Sequence, residues 1–329
     1  MRYGRPLESH AVAHSNPERD AKAGHGPINR RFDGKITVVT GAGGGIGRAI
    51  VLAFAARGAH VIAADIDADA AAKTEEMARG VGATAHSWQV DVGNGDAMES
   101  FAAWVGENFG AADVVVNNAG IAMVGTLLDT NAVDWEQILH VNLWGVIYGS
   151  RIFARQMSDN GQSGHIVNMA SMAAYFPNRI SPAYATTKAA VLMFSECLRA
   201  ELAHADIAVH VVCPGLVNTG IGSATRFVGK SAEEQDRLRG QSYELRLQRL
   251  DPATVAAAVV HAVCTGAAVV PVGPLSKVAW LLSHVSPAVI RRAALVDYAA
   301  SMKASTAPGA TATLASPHRN SFPARPGPS

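Results

Sequence analysis

The chain has 329 residues, 49% of them hydrophobic, enough for one large core with extensions at either end. Its net charge of +1 supplies no overall attraction to nucleic acid, so none is expected as a partner. Three cysteines, Cys197, Cys213 and Cys264, stand far apart among apolar neighbours, which predicts reduced core thiols in a cytoplasmic protein and no metal-type pair.

Residues 1–31 mix His, Pro, Arg, Glu and Asp without the apolar run of a secretory signal and read as a flexible arm. From Lys35 to Thr40 a β-branched run predicts a first strand, followed by a glycine cluster and a helix over Arg48 to Arg57. The alternation continues with a strand at Val61 to Asp65, a helix at Ala68 to Arg79, a strand at Ala83 to Val90, a helix at Gly95 to Phe109 and a strand at Val114 to Val116. Next come a helix at Trp135 to Met157, a strand at His165 to Met169, a helix at Tyr184 to His204, a strand at Ala208 to Cys213, a helix at Pro252 to Thr265 and a strand at Ala268 to Val272. Seven strands alternating with helices predict an α/β fold, a doubly wound parallel sheet covered by helices on both faces. The stretch Val255 to Val272 is apolar but contains His261 and Gly266, which argues against a membrane span. From about Ala304 to Ser329 the composition is Pro, Ala, Ser, Thr and Gly, the signature of a disordered tail.

Between the first strand and first helix lies Thr40-Gly41-Ala42-Gly43-Gly44-Gly45-Ile46-Gly47, where a dinucleotide fold keeps its phosphate turn. Gly41, Gly45 and Gly47 allow a tight turn, close pyrophosphate approach and close helix packing. Asp65 closes the second strand, 18 residues beyond Gly47, where a carboxylate accepts hydrogen bonds from ribose hydroxyls and repels a 2′-phosphate. No Arg or Lys at Gly43, at Gly44 or immediately after Asp65 reverses that preference, so NAD is favoured and NADP is the alternative. A helix-capping role is the other reading of Asp65.

A second constellation lies mid-chain: Ser171, then Tyr184 and Lys188 four residues apart. On a helix this spacing puts phenol and ammonium on one face, roughly 6 Å apart at Cβ, and a fixed cation beside a phenol favours the phenolate. No His, Asp or Glu spacing suits a metal hydrolase.

In order and spacing, Thr40-Gly41-x-x-x-Gly45-x-Gly47, Asp91-Val92, Asn117-Asn118-Ala119-Gly120, Asn142, Ser171, Tyr184-x-x-x-Lys188 and Pro214-Gly215 followed by Thr219 resemble the short-chain dehydrogenase/reductase family, over about Phe32 to Val272. The resemblance implies a Rossmann sheet and hydride exchange between an alcohol or ketone and NAD(P). It implies Tyr184 as general acid or base, and Lys188 on the nicotinamide ribose, lowering the Tyr184 pKa. Ser171 would hold the substrate oxygen, and Asn142 a water that links Lys188 to solvent. It further implies cofactor contacts from Gly41, Gly43, Gly45, Ile46, Gly47, Asp65, Asp91, Val92, Asn118, Ala119, Gly120, Pro214, Gly215, Val217 and Thr219. Asn142 as a purely structural residue and Thr219 as a helix cap are the bland alternatives.

In this family the segment Leu216 to Leu250 forms much of the substrate wall and is expected to move as a lid. Its Arg226, Lys230, Arg237, Arg239, Arg246 and Arg249 read as a solvated helix face. Met172, Ala173, Phe176, Leu216, Val217 and Ile221 are expected to face a hydrophobic alcohol or ketone. Met169 to Tyr175, Phe194 to Leu202, Cys213-Pro-Gly215 and the extension Pro274 to Met302 are similar to a mycobacterial-type subgroup that includes the dehydrogenase part of epoxide hydrolase fusions, which hints at lipid-like substrates. Trp280 to Leu282 and Arg291-Arg292 are expected in a helix pair on the domain's own core, with packing at the pocket mouth or on a membrane surface, admitting a long acyl substrate, as the alternative. The expected organisation is thus an arm (1–31), a Rossmann domain (32–273), a helical extension (274–303) and a tail (304–329). A homotetramer or homodimer is expected through the helices carrying Trp135 to Met157 and Tyr184 to His204. A non-catalytic dinucleotide sensor is the rival function.

Overall fold

The structure, a computed structural model, describes residues 31–219, 225–244 and 250–294. Most of the expected arm and the whole tail lie outside the described residues, as do Ile221, Arg246 and Arg249.

Seven strands form one parallel sheet: β1 (Ile36–Thr40), β2 (His60–Asp65), β3 (Ala85–Gln89), β4 (Val114–Asn117), β6 (Gly164–Met169), β7 (Ile207–Pro214) and β9 (Val269–Val272), in the order β3-β2-β1-β4-β6-β7-β9. The order reverses between β1 and β4, and a doubly wound sheet opens its ligand crevice at such a point. Alternate residues of each strand feed two cores. Val39, Val61, Val116, Val167 and Val212 pack against Ile50 and Phe54 of α1 (Gly45–Ala55) and Val255 and Val259 of α8 (Pro252–Thr265). On the other face Val38, Ile62, Val115, Ile166 and Val209 meet Met98 and Phe101 of α3 (Gly95–Phe109), Phe153 and Met157 of α5 (Gly145–Asp159) and Leu198 of α6 (Pro182–Glu201). Strands buried on both faces explain their near-continuous Val and Ile content.

Each predicted strand and helix is present, with ends shifted by a few residues. One predicted helix is not a single helix. The stretch expected over Trp135 to Met157 is α4 (Ala132–Leu139), a π-helical turn at His140–Trp144, and α5. A two-stranded parallel ribbon of β5 (Met123–Val124) and β8 (Arg226–Phe227) has no counterpart in the prediction, whereas α7 (Ala232–Glu244) supplies a helix in the segment where a charged helix face was expected. Helix α2 (Ala68–Gly80) is capped by Asp67, whose side chain accepts from the Ala70 N–H. Asp65 is therefore not the cap.

Beyond β9, α9 (Pro274–Val285) and α10 (Pro287–Ala293) form the expected helix pair. The Ser276 hydroxyl is fully buried and donates to the Cys213 carbonyl at 2.6 Å, while Ala279 and Trp280 pack near Tyr175 and Cys213. No described helix is long and apolar enough to cross a membrane. The cysteines depart from expectation: Cys213 is core, but Cys197 is exposed and Cys264 half-buried, and all three are free.

Candidate active site

The glycine loop is fixed by its neighbours. Gly41 has φ 63° and Gly45 φ 50°, backbone that favours glycine, and a Cβ on Gly41 would fall 2.7 Å from Ala119 Cα. At Gly47 a Cβ would lie 2.0 Å from the Gly41 carbonyl oxygen, so helix α1 can approach the strand end only without a side chain there. Ile46 opens the helix behind Gly45 and packs against the core. Asn118 secures the loop, donating from Nδ2 to the carbonyls of Thr40 at 3.0 Å and Gly41 at 3.1 Å. The first turn of α1 has no side-chain cap, which leaves N–H donors suited to an anion. A Cβ on Gly44 would meet no protein atom within 4 Å, and Thr219 lies over Gly45, 3.1 Å from the corresponding point.

Asp65 stands beside this cradle. Its Oδ2 accepts the Gly43 N–H at 2.7 Å and its Oδ1 the Asp67 N–H at 3.0 Å. The carboxylate thus shapes the loop and remains half-exposed at the strand end. Asp91 is exposed at the end of the next strand, where it accepts the Gly93 N–H at 2.9 Å, with Val92 buried behind it. Pro214 is buried at the end of β7, and Gly215 N–H donates to the Val272 carbonyl at 2.9 Å. These residues border one crevice, and a small-residue cradle with free donors and a flanking carboxylate fits a dinucleotide.

The second half of the site is carried by α6. Pro182 opens this helix, and the buried Ser181 before it donates to the Met123 carbonyl, pinning the helix start to β5. One turn on, Tyr184 shares a hydrogen bond with the Ser171 hydroxyl. Lys188 follows, buried, with Nζ 5.8 Å from the Tyr184 ring centroid and donating to the Met169 carbonyl at 3.0 Å. Burial pushes the Lys188 ammonium down to about 8.

The expected lowering of Tyr184 is not what the protein alone provides. Part of the residue's surface meets solvent, yet the phenol's surroundings are dense enough that burial raises its pKa, and the bond with Ser171 offsets only part of that rise.

Asn142 sits in the π-helical turn, fully buried. Its Oδ1 accepts the Ile121 N–H at 2.8 Å, and Nδ2 donates to the Ile121 carbonyl at 3.0 Å and to Thr187 Oγ1 at 3.3 Å. The amide clamps the loop after β4 to α6. Gly120 lies between Asn142 and Lys188: a Cβ there would be 3.2 Å from Asn142 Oδ1 and 3.5 Å from Lys188 Nζ. Asn142, Gly120, Lys188, Tyr184 and Ser171 therefore form one continuous group, at the strand ends that also hold the glycine cradle.

A profile of the family described as short chain dehydrogenase matches residues 35–227, more than half of the chain. The chain is a short-chain dehydrogenase/reductase. Among curated proteins this short-chain dehydrogenase is 41% identical over 266 residues to the Mycobacterium tuberculosis protein named "Probable oxidoreductase EphD", covering 80% of the present chain and 45% of that protein. The chain thus spans about half the length of that relative. Among solved structures, a short-chain dehydrogenase/reductase from Burkholderia phymatum in complex with NAD superposes with a TM-score of 0.72 at 30% identity, covering 79% of this chain and 96% of that one. A metagenomic short-chain oxidoreductase in complex with NADP does so with a TM-score of 0.58 at 27% identity, covering 70% and 90%.

The substrate side of this short-chain dehydrogenase corrects several expectations. Ala173 is buried, so it is not an open wall residue, while Val217 is half-buried, packing against the sheet core and bridging to Leu250. Met172 and Phe176 are half-buried and Leu216 is 50% exposed. Arg226 is exposed as expected but lies on β8 instead of a helix, and its Nη2 lies 2.5 Å from Oδ1 of Asp134, whose side chain is fully buried. Arg226 also donates to Gln137 Oε1 at 2.8 Å, so β8 is held against α4 as well as β5. A lone Arg in a charged segment and a capping-box Asp on another helix gave no sequence signal for this pairing.

Proposed function

We propose that the protein interconverts an apolar secondary alcohol and its ketone, with NAD as the preferred cofactor. The observation that carries this reading is the convergence of the Ser171 and Tyr184 hydroxyls with the Lys188 ammonium beside the glycine cradle. When bound, a nicotinamide dinucleotide supplies a hydride to the ketone or accepts one from the alcohol.

Gly41, Gly45, Ile46 and Gly47 hold the phosphates through backbone N–H groups, Gly43, whose N–H goes to Asp65, borders them without a side chain, and Thr219 closes over them. Asp65 takes the adenosine ribose and repels a 2′-phosphate, which is the basis for preferring NAD. Asp91 and Val92 border the adenine end. Asn118, Ala119 and Gly120 line the cleft, and Pro214, Gly215 and Val217 hold the carboxamide end. Tyr184, a protonated phenol at neutral pH, donates from Oη to the substrate oxygen in the reductive direction and takes a proton back in oxidation. Ser171 donates to the same oxygen and stabilises the developing charge. Lys188 fixes the ribose and supplies the positive charge that favours the phenolate when the alcohol is deprotonated. Asn142 positions the relay from Lys188 to solvent by clamping Ile121 and Thr187.

Met172, Phe176 and Leu216 support an apolar substrate. The exposed Trp144, last residue of the π-helical turn that leads into α5, and Met193 on α6 support a homodimer or homotetramer formed through these helices. Steady-state oxidation of secondary alcohols of increasing chain length, against sugar alcohols, tests the substrate class. Specificity constants should rise with chain length; faster turnover of polyols would remove the apolar assignment.

A further inference from the structure

The outer face of α9 carries Leu275, Val278, Leu281 and Val285, and α10 continues it with Val289. Each of these is between 49% and 73% exposed. At 100° per residue the four on α9 fall on one side of the helix, opposite Ser276, Ala279 and Trp280, which pack inward. A continuous apolar stripe left open by a folded protein marks a contact surface. Its electrostatics select the partner. From Pro274 to Ser329 the chain holds six of its 28 Lys and Arg and one of its 27 Asp and Glu. This part therefore carries a net charge of +5, against −4 for residues 1–273. Lys277, Arg291 and Arg292 are exposed on the same two helices, and no acidic residue lies between Pro274 and Ala293.

We propose that the outer face of α9 and α10 docks on an anionic lipid surface. The apolar stripe inserts at the level of the head groups and Lys277, Arg291 and Arg292 pair with lipid phosphates. A second copy fits less well, because a symmetric contact would set these cations against their own counterparts with no acid on either helix. The basic remainder of the chain, with Asp297 its one acid, offers no complement either. The inner face of α9 rests on the turn that follows Ser171, so docking here sets the substrate cleft beside the lipid. That consequence for substrate entry rests on the reaction proposed above; the docking itself does not, since it is read without turnover.

Flotation of the full chain with phosphatidylcholine vesicles, with and without one third phosphatidylglycerol, tests the proposal. The protein should float with the anionic vesicles at low salt, and high salt should release it. The triple variant K277Q/R291Q/R292Q should lose on the order of a hundred-fold in partitioning. V278S/L281S/V285S should lose at least about tenfold. NADH binding and the melting temperature of both variants serve as folding controls. Absence of flotation with anionic vesicles at low salt overturns the proposal, as does flotation unchanged in both variants. A fall in the light-scattering mass of folded V278S/L281S/V285S overturns it too, by assigning the stripe to a second copy.

Discussion

Replacing Asn142 by Ala removes the one side chain that satisfies both backbone groups of Ile121. The Ile121 N–H loses an acceptor at 2.8 Å and its carbonyl a donor at 3.0 Å; Thr187 keeps its bond to the Tyr184 carbonyl at 2.8 Å. Orphaning a buried polar group costs about 1–3 kcal/mol, and Ile121 is only half-buried, so the pair should cost about 2–4 kcal/mol. At about 2–4 °C per kcal/mol for a domain of this size, the melting temperature should fall by roughly 4–16 °C. Asn142→Asp separates hydrogen bonding from shape. It keeps the acceptor for the Ile121 N–H but sets a second oxygen against the Ile121 carbonyl. It also faces Thr187 Oγ1, whose own proton already goes to Tyr184. Asp should therefore destabilise at least as much as Ala. Thermal unfolding and denaturant titration of both variants, with NADH binding measured alongside, provide the assay. A loss below about 0.5 kcal/mol in both would refute the clamp.

Three further outcomes follow from the same geometry. Gly47→Ala places a Cβ 2.0 Å from the Gly41 carbonyl and 2.6 Å from Asn118 Nδ2, so NADH affinity should drop by at least about tenfold. Gly44→Ala meets no protein atom within 4 Å and should melt with the parent; equal melting losses in both would contradict the cradle. Asp65→Asn keeps an acceptor for Gly43 but removes the charge. The NAD to NADP ratio of kcat/KM should fall about tenfold, equivalent to 1–2 kcal/mol of lost repulsion, and an unchanged ratio would clear Asp65 of that role. The third concerns pH. His165 and His210 stack with Nδ1 and Nε2 3.1 Å apart, and His210 Nδ1 donates to the Ala267 carbonyl at 2.7 Å. Burial and the neighbouring His210 push His165 down to about 4 from 6.5, so its neutral form stabilises the fold above about pH 6.5. That contribution should disappear as pH falls from about 6.5 to about 4. It is about 1–2 kcal/mol once partial exposure is discounted. His165→Gln should flatten the stability profile across this window, and an identical slope would show that another group titrates there.

Much of the fold was legible because buried parallel strands are short runs of Val and Ile, and each is followed by a helix of different period. The glycine loop, Asp65, Asn142, Ser171, Tyr184 and Lys188 were legible through their order along the chain. What stayed hidden depends on contacts distant in sequence. The π-helical turn at His140–Trp144 preserves the helical pattern of polar and apolar residues, so a single helix is the natural reading. Two-residue strands such as β5 and β8 carry no periodicity, and the pairing of Arg226 with Asp134 joins positions 92 residues apart. The direction of the Tyr184 shift also had to come from the fold. Spacing shows the nearby Lys188, but only packing shows how much water the phenol loses.

In the reaction proposed above, Tyr184 exchanges the proton with substrate. Tyr184→Phe leaves the ring and removes only the hydroxyl, so single-turnover kinetics beside an NADH titration give the most direct measurement. Turnover should fall about 10²- to 10⁴-fold with cofactor affinity within about twofold of the parent. Turnover within tenfold of the parent, at unchanged affinity, would contradict the account.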